Sequence, residues 1–256
     1  MPQGLQVFNE ADQVIIDLNW PCFGLRQKVL YQNTTAVTVT VPVTGQQIPA
    51  RQFTVTGVNP SVFHTGSAHL FSVSNSGNTW TFTYTHSGAQ FPPTFYVFDS
   101  FDGIGPSTHG YGIESYAEDG RLLFSSMYPI MRFVHMSQLP NGALDGRGEQ
   151  DPYLNSDGFG TGGYGTGGAY ASTWEYHSLP ANRTYAGALS HYRYGASSSS
   201  TTTDYGDALF EVLTMRADGF EVGGALQLGG ESFGGFLGRA YDGRPPRLVL
   251  IDVTGF

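Results

Sequence analysis

His64 and His69 stand five positions apart around Gly66-Ser67, with His86, His109, His135, His177 and His191 scattered along the rest of the chain. Paired imidazoles can hold a metal or pass a proton. Neither of these lies in a helical metal motif such as His-Glu-x-x-His, and the pattern reads as surface or partner-contact histidines flanking a Gly-Ser turn. Glycoside hydrolysis would need two carboxylates facing each other across a cleft. Glu149, Asp151, Asp157 and Glu175 are the candidates, but their spacing fixes no such pair, and carboxylates in Gly-rich stretches ordinarily keep a loop solvated. The single lysine, Lys28, has no phosphate-binding loop before it, and Gly158-Phe159-Gly160-Thr161-Gly162-Gly163 has no strand-then-helix context for a dinucleotide. Cys22 is the only cysteine, so an intrachain disulfide and a multi-cysteine zinc site are both excluded, and it reads as a small buried side chain. No Gly-x-Ser-x-Gly nucleophile elbow occurs. The expectation is a protein with no catalytic residues, no metal and no cofactor: not an enzyme.

What remains is recognition. Between Asp145 and Tyr176 the chain carries Tyr153, Phe159, Tyr164, Tyr170, Trp174 and Tyr176 on a background of small residues, including the tandem pentapeptides Phe159-Gly160-Thr161-Gly162-Gly163 and Tyr164-Gly165-Thr166-Gly167-Gly168. Aromatic side chains give large contact area at low entropic cost, which suits sugars or protein surfaces. These six residues form a candidate interaction loop, expected to be ordered by a partner because Gly is costly to fix and few aliphatic side chains are present to offset that cost.

Such a loop needs a scaffold, and the pattern supplies one of strands. In Thr35-Ala36-Val37-Thr38-Val39-Thr40-Val41 the valines fall on one face and the threonines on the other. Similar runs cover Leu5 to Phe8, Val14 to Leu18, Phe53 to Val58, Leu70 to Val73, Trp80 to Tyr84 and Thr94 to Phe98, separated by Gly, Asn and Pro turn signals. Only 13% of residues are charged, and 35 are glycine, as in extracellular and particle-bound β proteins. The net charge of −9 with 12 basic residues excludes the electrostatic footprint of a nucleic-acid binder. No apolar run is long enough for a membrane helix, so no membrane insertion is expected. No secretory signal is visible at the start of the sequence, the situation of virion proteins that leave a cell by lysis.

The fold expected is all-β, with two β-sandwich-like domains: residues 1–104, and residues 110–256 with a loop insertion at about 140–203. Asp99 to Ser107 reads as the linker. Gly4-Leu5-Gln6-Val7-Phe8-Asn9-Glu10 is matched at an offset of 108 (112 − 4) by Gly112-Ile113-Glu114-Ser115-Tyr116-Ala117-Glu118. The same offset relates Val14-Ile15-Ile16 to Leu122-Leu123-Phe124, Trp20-Pro21 to Tyr128-Pro129, and Leu25 to Phe133. The two domains are therefore expected to open on similar hairpins.

The opening from Gly4 to Leu18 resembles the start of small tail-tip or baseplate-associated structural proteins of long-tailed bacteriophages, including pseudomonad phages, with Gly112 to Ser126 as a weaker echo. The resemblance covers about 15 residues and brings no catalytic residues with it. It implies a virion structural protein of the phage tail, assembled in the host cytoplasm and extracellular after release. Its partners would be other tail proteins and copies of itself, as in a homo-oligomer such as a trimer, with a host surface glycan or protein receptor as a further contact. The alternative is a carbohydrate-binding or carbohydrate-degrading module.

Overall fold

The computed structural model describes residues 6–8, 14–17, 22–41, 45, 47–85, 92–104, 111–139, 143–144, 150–151, 172–192, 194–198, 205–224, 236–237 and 246–256. The chain is all-β. Its strands are β1 (Gln6–Phe8), β2 (Val14–Asp17), β3 (Phe23–Leu30), β4 (Thr35–Thr40), β5 (Gln47–Thr56), β6 (Ser61–Ser76), β7 (Thr79–Thr85) and β8 (Thr94–Ser100), followed by one helical turn, α1 (Phe101–Ile104). Then come β9 (Glu114–Tyr116), β10 (Leu122–Ser125), β11 (Arg132–Gln138), β12 (Ala143–Leu144), β13 (Gln150–Asp151), β14 (Ser172–Ser178), β15 (Tyr185–Leu189), β16 (Tyr194–Ser198), β17 (Tyr205–Met215), β18 (Gly219–Gly224), β19 (Phe236–Leu237) and β20 (Arg247–Asp252). Every pairing among the described residues is antiparallel, and no helix among them is long and apolar enough to cross a membrane.

Six of these strands form a ring in the order β3-β8-β6-β15-β20-β11. It closes where Gly24 bridges Ile130, with Leu25 N–H donating to Pro129 O at 2.7 Å and Met131 N–H to Phe23 O at 2.9 Å. The inner faces supply one core: Phe63, Tyr96 and Phe98 from the first half of the chain meet Ala186, Ile251 and Val253 from the second. The outer faces carry one further core each. On the first half, Phe95 and Val97 of β8 pack with Phe53, Val55, Phe82 and Tyr84 of β5 and β7. On the second, Leu248 and Leu250 of β20 pack with Leu213, Met215, Phe220 and Val222 of β17 and β18. The alternation along β8 and β20 is thus buried on both faces, and each such side chain contributes roughly 1.5–3 kcal/mol by leaving water.

The 108-residue offset reappears in the hydrogen-bond registers. In the first hairpin Gln6 pairs with Asp17, Val7 with Ile16 and Phe8 with Val14, so Ile15 is skipped. In the second, Glu114 pairs with Ser125, Ser115 with Phe124 and Tyr116 with Leu122, so Leu123 is skipped. Each of these positions is its counterpart plus 108. The ladder β3–β8 skips Arg26 and β11–β20 skips Val134, again 108 apart. A bulge costs a ladder hydrogen bond and re-aims the strand, so its recurrence at matched positions marks shared local geometry.

Several local expectations change. Asp99 and Ser100 end strand β8 and are not part of a linker: the Asp99 carboxylate is fully buried and accepts hydrogen bonds from Val58 N–H (2.9 Å), Asn59 N–H (2.8 Å) and Ser100 N–H (2.9 Å). The stretch expected as a loop insertion at about 140–203 contains β12, β13, β14 and β16, besides β15, where Tyr185 to Leu189 already reads as a resuming strand in the sequence. A strand of small residues needs no core of its own where larger neighbours bury it. Gly187 of β15, for instance, lies against Leu213, Met215 and Leu250. His64, Gly66 and His69 all belong to β6. The Gly-Ser pair is no chain reversal there: Gly66, at φ +67°, bends a continuing strand.

Candidate interaction face and buried polar junction

Of the six aromatic residues expected to form an interaction loop, Tyr153, Phe159, Tyr164 and Tyr170 lie outside the described residues. Trp174 and Tyr176 stand not on a loop but on β14, which pairs with β18: Tyr176 faces Glu221, and Trp174 is the skipped position between Thr173 and Glu175. Among the carboxylate candidates, Glu149 and Asp157 lie outside the described residues, Asp151 ends β13 and Glu175 is opposite Val222 on the β14–β18 ladder. Cys22 is half-buried, and its backbone N–H donates to Leu123 O at 3.0 Å. Among the described residues no group of three or more His, Cys, Asp or Glu side chains could hold a metal ion.

The structure does gather a polar cluster that spacing alone concealed. His64 and His69, read as surface residues, are both buried on β6 where it meets β15 and β17. His69 Nδ1 donates to Glu211 O at 2.6 Å; a carbonyl only accepts, so this nitrogen carries the proton. His64 Nδ1 lies 3.3 Å from Thr65 O, and its Nε2 is 3.1 Å from the Tyr192 hydroxyl, which is placed to donate to it. The Tyr192 ring meets His69 edge-on at 5.0 Å, and Ser67 Oγ and Thr214 Oγ1 are 3.0 Å apart on the same seam. Burial is the largest influence on the imidazoles and lowers both from 6.5 to about 4, only partly offset by their backbone partners. Burial likewise pushes the hydroxyls of Tyr84 and Tyr192 up, so these two imidazoles and two hydroxyls are neutral across the physiological range. Chemically it is a set of directional hydrogen bonds inside an apolar seam. It fixes how β6 meets β15 and β17, because each unmatched partner would cost the desolvation of a buried polar group.

The second feature is a face. The hairpin β9–β10 buries Leu122, Leu123 and Phe124, with Phe124 and Tyr128 against Phe101 at 6.3 and 6.0 Å between ring centres. Tyr111 and Ile113, just before β9, and Tyr116, at its end, are exposed at 103%, 61% and 51%. Nearby in the chain, Phe133, Val134 and Met136 are exposed at 66%, 44% and 66%. Among the described residues β9 pairs only with β10, so its other edge offers backbone groups as well as apolar side chains. Tyr116 Oη donates to Glu114 Oε2 at 2.6 Å, which orients the ring along that edge. No sequence periodicity could have found this face: β9 is three residues long, and its inner and outer sides are distinguished only by what α1 covers.

No family, no curated protein and no solved structure matches the chain.

Proposed function

We propose that the chain is a non-enzymatic structural subunit of a bacteriophage tail tip or baseplate, and that the outer face of β9 is where a neighbouring tail protein docks. The observation that carries the docking reading is the exposure of Tyr111 and Ile113, just before β9, and of Tyr116, at its end, beside a strand that among the described residues pairs only with β10. Large apolar side chains grouped on an open edge are the ordinary signature of a protein contact, combining main-chain pairing with side-chain pockets. The tail location rests on the resemblance of Gly4 to Leu18, and the low charge content suits a surface that is covered in an assembly. Contact with a host surface glycan or protein receptor belongs to the same reading, and localisation in the virion follows from it.

The test has two parts. Mass spectrometry of gradient-purified tailed particles should find the chain in a fixed ratio to the tail proteins. Particles made with the double substitution Ile113→Asp and Tyr116→Asp should lose it. Absence of the chain from wild-type particles, or full incorporation of the doubly substituted chain, would reject the proposal. Polysaccharide cleavage by the purified protein, abolished by alanine at Glu149, Asp151, Asp157 or Glu175, would support the carbohydrate-degrading alternative instead.

A further inference from the structure

The second half of the chain is attached to the first in two different ways. Its strands β11, β15 and β20 are members of the ring. Strands β14, β18, β17, β16 and β19 form a flank of their own, and among the described residues the only ladder that joins this flank to the rest is β17–β6. That ladder is short: Leu213 pairs with Ala68, Thr214 with Ser67 and Met215 with Gly66. On its other pairings β6 has five rungs with β8 and seven with β7. The remaining attachment of the flank is apolar, through Leu213, Met215, Phe220 and Val222 packed against Leu248 and Leu250 of β20.

Buried polar groups gather at this same three-rung joint. Ser67 Oγ and Thr214 Oγ1 face each other on its middle rung, and just past its end the His69 Nδ1–H donates to Glu211 O. Tyr192, in the connection from β15 into β16, covers the pair, its ring against His69 and its hydroxyl on His64 Nε2. Opposite His69 on β7, Thr85 Oγ1 is buried without a hydrogen-bond partner among the described residues. The titratable side chains that the described elements bring to the two imidazoles are Tyr84 from β7, Tyr192 from the connection and Glu211 from β17; β8 and β15 bring Phe95 and Gly187. A second proton on His69 would place a full charge in this seam, and departure of the flank is the movement that returns the ring to water.

We infer that β14, β18, β17, β16 and β19 form an acid-released flank, which detaches from β6 as a unit when His69 takes a second proton, while the ring and the first half stay folded. Detachment uncovers Leu213 and Met215 together with the edge of β6 from Gly66 to Ala68, so acid bares a strand edge and an apolar strip that are covered at neutral pH. The device is placed where the flank is held by the fewest backbone pairs, and the ladders that hold β6 to β7 and β8 carry it through the opening. It stands independently of the tail reading, since it concerns a seam inside the chain and not the outer side of β9.

Peroxide oxidation of methionine in the full-length protein, read by peptide mass spectrometry, tests it. Met215 is buried on β17 and Met136 is 66% exposed on β11, so the ratio of their oxidation rates reports opening with the reagent's own pH dependence cancelled. His69 titrates at about 4 in the closed seam and at 6.5 in water, so between about pH 7.5 and 5 the ratio should rise roughly 30-fold or more. Over the same interval the amides of Thr81, Phe82 and Thr83, on β7 between β5 and β6, should keep their protection from exchange within about threefold. In His69→Gln, whose side-chain amide can still donate to Glu211 O, most of the rise should disappear. An unchanged ratio in the unsubstituted protein would overturn the inference. So would a rise matched by loss of protection on β7, which would mean that the whole molecule unfolds, or a full rise retained in His69→Gln.

Discussion

His64 and His69 have lost their aqueous surroundings, and the consequence is a pH dependence of fixed sign. Their pKa values fall from 6.5 to about 4 on folding, so between those limits the unfolded chain binds more protons than the folded one. Stability is fully present above about 6.5, falls as the pH drops toward 4, and is reduced by on the order of 3 kcal/mol per imidazole once both states are protonated. Thermal melts between pH 7 and 4 should show this decline, and His69→Phe should make it shallower; a flat profile in the unsubstituted protein would refute the burial of the pair. Asp252 adds a dependence of the same sign at lower pH. Burial alone would raise its pKa, but hydrogen bonds from Thr254 and Arg183 (2.5 Å), with the charge of Arg132 nearby, outweigh that and hold it below the ordinary value. A depressed carboxylate contributes stability above its unfolded pKa and loses it as the pH falls through the folded value, so Asp252→Asn should cost stability at pH 7 and little at pH 2. None of this was legible from residue types, because burial of a histidine depends on which strands arrive over it. The spacing of His64 and His69 around Gly66-Ser67 pointed to surface histidines flanking a turn, and the structure places both buried on one continuing strand.

At the scale of elements the sequence was more informative. The alternation in Thr35 to Thr40 became β4, where Val37 and Val39 are half-buried and Thr38 and Thr40 exposed. The turn signal at Gly77-Asn78 became the two-residue connection between β6 and β7, with Gly77 at φ +59°, the left-handed value a glycine at the first central position supplies. Matching Gly4–Leu18 to Gly112–Ser126 foretold two hairpins of the same register, since turn length and skipped residue are local properties. What stayed hidden was β14 and β16, written in Ser, Thr, Gly and Tyr, whose strand state comes from neighbours and not from their own apolar pattern. On β15, a Cβ at Gly187 would fall 2.8 Å from Leu213 Cδ2 and 2.8 Å from Met215 Sδ, so this strand can cross the core only without a side chain there. Gly187→Val should therefore destabilise the protein by about 1–3 kcal/mol, the usual cost of overpacking. Gly24→Ala, aimed at Phe101 Cε1 at 2.8 Å, should do the same where β3 meets α1. Chemical denaturation measures both; a change under about 0.5 kcal/mol, the range of neutral surface substitutions, would show that the packing is looser than described.

For the whole molecule, the lasting feature is a closed ring made jointly by the two halves of the chain, with a core on each flank and a shared core within. Composition indicated strands and turns, but no sequence pattern shows that β6, paired with β8 on one side, would pair on the other with β15 and β17, because those pairings join residues more than 100 positions apart. The face on β9 is a property at this scale too: Ile113→Asp with Tyr116→Asp alters only exposed positions, so melting should shift little while incorporation into particles is lost. The central claim is that this face meets another tail protein. A cryo-EM reconstruction of the intact tail tip tests it most directly. The proposal predicts density for this chain with Tyr111, Ile113 and Tyr116 buried against a neighbouring protein; a tail-tip map that lacks the chain, or that shows those three side chains facing solvent, would contradict it.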